Sequence, residues 1–436
     1  MSTLMGTSRG APRILLVLCL AGAMTLESRP LAAAGYTLNE IMHQALVRSY
    51  DLKAARAQVN AAIGRLKQSE LWPNPKLELS NESDRAFANQ GAFSRSVSVA
   101  QDFPIAGRIA RAQEVSRVDV ARALAEVNEA ERILLADVAK SFYEIVVLDQ
   151  KIALRDRLIS VEALLVAAST KRQKAGEVSE LDVNAATLEL QRLRQERIVL
   201  TGQRAAALRT LAGLVGLPSN AALAVNTALP PFVRLPSVAQ LIDQALRRRP
   251  DLRLLTLAEN RALAEQLLAK AAAWEDWSVS LGVRQDKLVI EGAPPQQADS
   301  AMMMKLTIPL PLFNRNQGIQ AAAEADKEAA QEKFAALKVR IENEVSGKYE
   351  QVKRLLEAIR AYKEQTLPLS RRDAELARDA YGKGQLSISE VIQAGRREID
   401  VNTSYADTIS LYLRAIAELN AATVAEARFE TQPVKH

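Results

Sequence analysis

The sequence predicts a mainly α-helical protein with a small β part, built from two repeats of one unit: a helix, a strand pair and a long helical hairpin. Helix-forming Ala, Leu, Glu, Arg and Gln dominate the composition. Two proline-poor stretches carry apolar residues at alternating steps of three and four, the spacing of a coiled-coil seam. The stretch Lys171 to Ala186 also returns within Arg378 to Gln393, where Gly384 follows Gly176 by 208 positions. Two copies at matching offsets indicate a tandem duplication.

The composition excludes several classes of protein. The chain has 436 residues, 48% of them apolar and 4% aromatic, so it is neither disordered nor collagen-like. Its formal net charge is +6, but Lys and Arg alternate with Glu along helical stretches. A nucleic-acid-binding patch is therefore not expected.

Residues 1–34 have the pattern of a secretory signal peptide. Arg9 and Arg13 precede the apolar run Ile14 to Met24, and small residues lead to Ala34. The only cysteine, Cys19, lies inside this run, and the residue before it is Leu18 rather than a small one. We therefore expect export, a thiol-free mature chain of net charge +4, and no lipid anchor.

The first repeat is predicted over 35–218. A helix from Tyr36 to Leu71 begins with a candidate capping box, Thr37 and Glu40, and ends before Pro73. Alternating apolar residues then predict a strand pair at 76–103. A long helix from 106 leads to a hairpin tip at 174–179, after which a partner helix runs to 214.

The long helix of the first repeat carries a heptad seam. Its apolar positions include Val138, Phe142 and Ile145, and Asp149 and Asp156 interrupt the pattern. About 65 helical residues would span roughly 100 Å, which few compact domains accommodate. The mature sequence has no run of about 20 apolar residues, so any membrane crossing would have to use strands.

The second repeat is predicted over 237–430, after a proline-containing linker at 219–236. A helix at 237–273 repeats the QAL motif of the first repeat, and a strand pair follows at 277–309. A long helix from Asn316 to Tyr381, broken only at Pro368, leads to a second tip at 382–387. A last helix runs to about Phe429, and residues 431–436 form a tail.

Both tips predict the same turn chemistry. Gly176 and Gly384 suit the left-handed conformation beyond a helix end. Ser179 and Ser387 are each followed three residues later by an acid, Asp182 or Glu390, as in a capping box.

All three tryptophans precede the first strand of a pair or begin it. Trp72, Trp274 and Trp277 would suit a membrane-water boundary, where an apolar ring with one polar edge is favoured. Alternatively, they serve only to pack helix ends.

The number of strands limits the possible assemblies. Four strands cannot close a barrel, and an open edge in lipid leaves unpaired backbone groups. Either the strands form a soluble sheet, or several chains pool them. Three chains would supply twelve strands, an even number suited to an outer-membrane barrel.

The stretch PIAGRIARAQ at 104–113 follows the first predicted strand pair, and PLFNRNQGIQAA at 311–322 follows the second. By these two stretches, the duplicated order and the two tips, the sequence resembles the TolC-type outer-membrane efflux factors, most closely their heavy-metal, CzcC-like subgroup. It implies a homotrimer in the outer membrane, with a shared 12-stranded β-barrel continued by an α-helical barrel in the periplasm. It also implies passive export, with a periplasmic adaptor and an inner-membrane RND-type transporter as partners.

The resemblance assigns roles to tip residues. Asp182 and Glu390 occupy the places of carboxylates at the periplasmic aperture, and Tyr381 matches a tyrosine that holds the closed state. Leu386 and Gln393 depart from the pattern, because some members have an arginine latch and a second acid there. The implied aperture residues are Asp182, Glu390, Tyr381 and Gln393. The implied adaptor-docking residues are Gly176, Glu177, Val178, Ser179, Gly384, Gln385, Leu386 and Ser387.

No motif predicts a metal site, a cofactor or catalysis. Met302, Met303 and Met304 invite comparison with a Cu(I) site, but only Met302 and Met304 would share a strand face, where apolar residues are needed for lipid or packing. The mature chain offers His43 and His436 and no cysteine. We therefore expect an export channel, not an enzyme.

Two alternatives stay open. The same fold can serve as a channel for drugs or secreted proteins. A protein of another class, a soluble periplasmic coiled-coil adaptor or scaffold, could also carry helical hairpins and a small sheet.

Overall fold

A computed structural model describes residues 35–84, 91–218, 220–232, 235–290, 292, 294 and 297–424. The predicted signal peptide and tail lie outside these residues. The elements in chain order are α1 (Leu38–Arg48), α2 (Tyr50–Ser69), β1 (Lys76–Ser83), β2 (Phe93–Phe103), α3 (Arg108–Lys174), α4 (Glu180–Val215), α5 (Val238–Arg248), α6 (Pro250–Ala271), β3 (Trp277–Lys287), β4 (Asp299–Thr307), α7 (Gln317–Ala361), a π-helical turn (Tyr362–Thr366), α8 (Leu367–Gly382) and α9 (Ile388–Thr423).

The first helix of each repeat is broken, contrary to the prediction of one continuous helix. Ser49 separates α1 from α2, and Arg249 separates α5 from α6, both with extended ψ angles near 125°. Pro250 explains the second break, because proline forces the preceding residue out of the helical region. Ser49 takes the same conformation 200 positions earlier without a proline, so this break was not readable locally.

The long helices follow the prediction of extended helical hairpins. α3 has 67 residues, which corresponds to about 100 Å. Its predicted seam residues Val138, Phe142 and Ile145 are buried. In the second repeat the π-helical turn precedes Pro368, which cannot donate a helical hydrogen bond. In the described part of the chain, each helix is too short or too polar to cross a membrane.

The predicted strand pairs join in one antiparallel sheet with the order β1-β2-β3-β4. Its register aligns apolar side chains in two rows on one face. The first row is Leu77, Val99, Leu281 and Met304, and the second is Leu79, Val97, Val283 and Met302. All eight are 48% to 86% exposed. Met303 lies on the other face, as the alternation predicted, and among the described residues the outer edges of β1 and β4 have no partner strand.

The helices of each repeat form their own core, and α3 takes part in both. One cluster joins α1, α2, α3 and α4, with Ile41, Leu52 and Leu211 at its centre. The other joins α5, α7 and α9 around Ile341, Val352 and Leu413. The predicted linker packs on both: Tyr36 forms a bridge with Val225, and the Phe232 ring lies 5.5 Å from that of Tyr412. The two repeats therefore hold together through the linker as well as through the helices.

Candidate functional site

The two hairpin tips have the same local structure. Gly176 has φ of 79° and Gly384 has φ of 74°, so both adopt the predicted left-handed conformation. Behind each glycine, the next backbone N–H returns to the helix: Glu177 donates to the Arg172 carbonyl and Gln385 to the Ala380 carbonyl. These bonds end α3 and α8 in the same way. The tips therefore form two equivalent turns at one end of the molecule.

Both predicted capping boxes are confirmed. The Ser179 N–H and hydroxyl donate to one Asp182 oxygen at 3.0 and 2.8 Å, and the Asp182 N–H donates back to the hydroxyl. Ser387 and Glu390 make the same arrangement, with both donor distances 2.8 Å. In each box the acid therefore keeps its second oxygen for other partners.

Glu390 is an exposed carboxylate that stays ionised. The backbone N–H of Ser387, and then its hydroxyl, lower the pKa of Glu390 below the ordinary value of a glutamate. A carboxylate with a lowered pKa keeps its negative charge into acidic solution. Gln393 lies three residues further along α9 and is exposed as well, so an amide stands on the same side of the helix.

Tyr381 connects the two hairpins near their tips. Its side chain is buried, and its hydroxyl lies 3.0 Å from the Ser169 hydroxyl on α3. The Arg172 guanidinium donates to the Tyr381 carbonyl at 2.8 Å and stacks 4.7 Å above the ring. Arg172 also pairs with Glu177. Sequence reasoning missed Arg172, because Ala380 stands at the matching position of the other repeat.

Apolar residues from both hairpins pack directly behind the tips. Leu165 and Ala186 of the first hairpin contact Tyr381, Ile388, Val391 and Ile392 of the second. Of the predicted docking residues, Val178 and Leu386 are half-buried, whereas Glu177 and Gln385 are exposed. The turns therefore present polar groups outward and anchor themselves with one apolar residue each.

An ionic cluster around three buried glutamates lies where α3, α4, α8 and α9 meet, and it is defined here as Glu162, Glu189, Arg192, Arg378, Arg396 and Glu398. Glu189 is 1% exposed and accepts from Arg192 on its own helix and from Arg396 on α9. Burial alone would raise the pKa of Glu189, but the bonds from Arg192 and Arg396 hold it below its ordinary value. Arg378 pairs with Glu398 at 3.4 Å. The cluster thus ties the hairpins to each other.

Glu162 differs from Glu189 within the cluster. Its carboxylate is buried against Gly395, whose added Cβ would lie 3.9 Å from Oε1. In the described part of the chain, it accepts no hydrogen bond from the arginines. Burial, and then the charge of Glu189, raise the pKa of Glu162 to about 7, against the opposing effect of the arginines. Near neutral pH, Glu162 therefore exists in both protonation states.

The charged interruptions of the α3 seam have partners on α4. Asp149 pairs with Arg204, and Asp156 pairs with Arg197. These acids replace apolar seam positions, and each meets an arginine across the hairpin. The sequence signalled them as interruptions but gave no means of finding their partners.

The three tryptophans lie at the helical end of the sheet. Trp277 begins β3 opposite Phe103, and the Trp72 ring packs on Phe103 edge to face at 6.1 Å. Trp72 and Trp274 are 59% and 49% exposed. Trp277 is half-buried. We refer to these three residues as the tryptophan belt.

No group of three or more His, Cys, Asp or Glu residues in the described ranges could hold a metal ion. Met302 and Met304 belong to the exposed apolar rows of the sheet, where their neighbours are Val283 and Leu281. These neighbours offer no further metal ligand.

The comparisons with known proteins cover nearly the whole described chain. The profile of a family described as outer membrane efflux protein matches residues 41–217 and 241–424. The cobalt-zinc-cadmium resistance protein CzcC of Cupriavidus metallidurans is 22% identical over 405 residues, which are 92% of this chain and 90% of that protein.

Two solved structures have the same fold. The CusC structure, a transmembrane channel by its description, has a TM-score of 0.71 at 20% identity and covers 88% of this chain and 91% of its own. The outer membrane protein VceC of Vibrio cholerae has a TM-score of 0.67 at 18% identity, with coverage of 88% and 95%. These structures therefore share the fold of this chain, a mainly helical protein with a small sheet.

Proposed function

The chain belongs to the outer membrane efflux protein family and is an outer-membrane channel component rather than an enzyme; from this premise we propose that three copies form the passive export duct of a tripartite pump for heavy-metal cations. Each copy would contribute four strands to a twelve-stranded barrel and two hairpins to a periplasmic helical barrel.

The observation that carries this proposal is the four-stranded sheet. Eight apolar side chains are exposed in two rows on one face, and both outer edges are open among the described residues. Exposed apolar rows suit lipid, and an edge in lipid needs a partner strand. Identical copies can supply that partner, because β1 of one copy can pair as an antiparallel strand with β4 of the next.

The proposed partners follow from the geometry and from the family. The tips lie about 100 Å along the helices from the sheet, so they would meet a periplasmic adaptor. An inner-membrane RND-type transporter would supply the energy. The docking surface would comprise residues 176–179 and 384–387, and Asp182 and Glu390 would line the aperture, with Gln393 beside them and Tyr381 holding the hairpins together. The tryptophan belt would mark the membrane boundary.

The cargo is proposed from the relative CzcC, whose name records cobalt, zinc and cadmium resistance. Deleting the gene in its host should sensitise cells to these cations, and the wild-type gene should restore growth. Sensitivity to drugs alone, or loss of a secreted protein, would instead favour the same-fold alternatives. If the mature chain is recovered as a soluble monomer, with no heat-resistant trimer in outer membranes, the result would overturn the channel proposal. It would favour an adaptor or scaffold instead.

We predict that Glu390→Gln lowers the cation selectivity of the purified channel in planar bilayers. The glutamine carbonyl can still accept from Ser387, so the tip keeps its cap while three negative charges leave the proposed aperture. Reversal potentials in a salt gradient measure the change.

Two controls separate charge from folding. Ser387→Ala removes the cap but keeps the Glu390 charge, and Glu332→Gln neutralises an acid on α7 far from the tip. Both should retain wild-type selectivity. If Glu390→Gln also retains it, Glu390 does not line the aperture.

A further inference from the structure

The turn between β4 and α7 exposes a compact group of large apolar side chains. Ile308, Leu310 and Leu312 are 40%, 67% and 64% exposed, and Phe313 is 91% exposed. Leu312 and Phe313 belong to the PLFNRNQG motif at 311–318, and Ile308 and Leu310 directly precede it. The channel function assigns no role to this stretch. Exposed apolar patches of this kind mark interaction surfaces.

This group continues the apolar face of the sheet beyond the end of β4. Every second residue from 302 to 312 is large, apolar and at least 40% exposed: Met302, Met304, Leu306, Ile308, Leu310 and Leu312. β4 itself ends at Thr307, so the alternation outlasts the strand. Pro309 and Pro311 occupy the intervening positions, where they cannot extend the hydrogen-bonded ladder. The apolar alternation would continue past β4 if these residues face the same environment as the exposed apolar face of the sheet.

Polar side chains of the motif hold the turn in place and leave the apolar ones outside. Asn314 accepts from the Asn316 N–H at 3.0 Å, and Gln317 donates to the Phe313 carbonyl at 3.1 Å. Asn316, at φ of 56°, donates its side-chain amide to the Ala269 carbonyl of α6. The turn is thus fixed to α6 with Phe313 directed away from the chain.

The surroundings of the turn suit the boundary of a phospholipid layer. Trp274 lies on the same helical end of the sheet, and in the other repeat Ile105 is 50% exposed after the end of β2. Arg315 is exposed close to Phe313 in the chain, and its guanidinium Nε donates to the Pro311 carbonyl at 3.2 Å. A cation next to apolar residues fits anionic headgroups above acyl chains.

We propose that Leu310, Leu312 and Phe313 insert into the interfacial region of the phospholipid layer on the helical side of the sheet, with Arg315 at the headgroups. The inference rests on the proposed membrane-spanning sheet and deepens it. The motif would then set the depth of the channel by anchoring it where the sheet meets the helices.

A site-directed fluorophore tests this surface. Phe313→Cys and Leu310→Cys are labelled with the environment-sensitive dye NBD, in a mature chain that contains no other cysteine once residues 1–34 are removed. The assembled protein is reconstituted in phospholipid vesicles that carry nitroxide lipids labelled near the headgroup or deep in the acyl chain. Labelled Met302→Cys is the control for the lipid-facing side of the sheet, and labelled Glu177→Cys, at the tip, is the control for a position in water.

The inserted turn predicts blue-shifted emission at both turn positions, quenched more by the shallow nitroxide than by the deep one. Met302→Cys should be quenched more by the deep nitroxide, and Glu177→Cys by neither. Emission typical of water at the turn positions, with the Met302→Cys label still in lipid, would contradict insertion of the turn and leave the membrane-spanning sheet standing. Blue-shifted but unquenched emission at the turn would also overturn it, because a neighbouring copy would then cover the turn. Water-like emission at Met302 would overturn the membrane-spanning sheet itself.

Discussion

The Gly176→Arg variant is expected to reach the outer membrane as an assembled protein and to export nothing. Gly176 has φ of 79°, and nothing lies within 4 Å of an added Cβ, so the side chain has room. The left-handed backbone costs a non-glycine residue about 1–2 kcal/mol, which a chain with two large helical clusters should survive. The bulky charge would, however, project from the surface proposed to dock on the adaptor.

Metal resistance of complemented cells measures export, and a heat-resistant trimer in outer-membrane fractions measures assembly. Gly176→Asn is the matched control, because asparagine tolerates the left-handed region without adding bulk or charge. It should restore resistance. Loss of the trimer with Gly176→Arg would mean that the tip is needed for folding, and full resistance would mean that the adaptor docks elsewhere.

Glu189 and Glu162, two of the three buried glutamates of the ionic cluster, are expected to respond to neutralisation with opposite signs. Glu189→Gln should destabilise the α4–α9 contact by roughly 3 kcal/mol, the low end for breaking a buried ion pair. The loss lies at the low end of the range because Arg192 and Arg396 are half-exposed, so water can hydrate them when the Glu189 carboxylate is gone. Arg192 also retains its ion pair with Glu196.

Glu162→Gln should instead stabilise the helices at pH 8. The pKa of Glu162 is about 7 in the fold and has the ordinary value of a glutamate, about 4.5, in the unfolded chain. The stabilising effect of its proton is therefore complete below pH 4.5 and disappears as the pH rises through 7. The raised pKa corresponds to about 3 kcal/mol, so Glu162→Gln should increase the stability by up to that amount at pH 8 and leave it unchanged near pH 4.

Amide hydrogen exchange of α3, α4 and α9 at two pH values measures both effects. Glu189→Gln should speed exchange at both values, whereas Glu162→Gln should slow it only at the higher one. Equal effects of the two variants would show that the cluster does not distinguish its glutamates. Glu180→Gln, an exposed change in the first turn of α4, supplies the baseline.

Local chemistry made much of this fold readable from the sequence. The capping boxes at Thr37, Ser179 and Ser387 were found because a serine or threonine followed by an acid three residues later is a short-range signal. The strand pairs and the shared face of Met302 and Met304 followed from alternation alone. The break predicted at Pro368 is observed as a π-helical turn at Tyr362–Thr366, directly before α8, in which Pro368 lies in the first turn.

The features that were missed depend on distant partners. Ser49 ends α1 in the conformation that Pro250 imposes on Arg249, and the backbone there packs closely on Gly216, which is 167 positions away. Arg172 clamps Tyr381 across 209 positions, and Glu189 meets Arg396 across 207. Spacing along one helix predicts which residues share a face, but not which face of another helix they meet.

The open edges of β1 and β4 also bear on how cells make this protein. A newly exported copy cannot complete its own hydrogen-bonding ladder, and exposed strand edges invite pairing with the wrong neighbour. Biogenesis should therefore depend on local concentration, and copies synthesised in excess should require chaperones or fall to proteases. A variant with one intact strand edge and one blocked edge is therefore expected to be dominant negative. It would pair with wild-type copies through its intact edge, and the resulting assembly could not be completed.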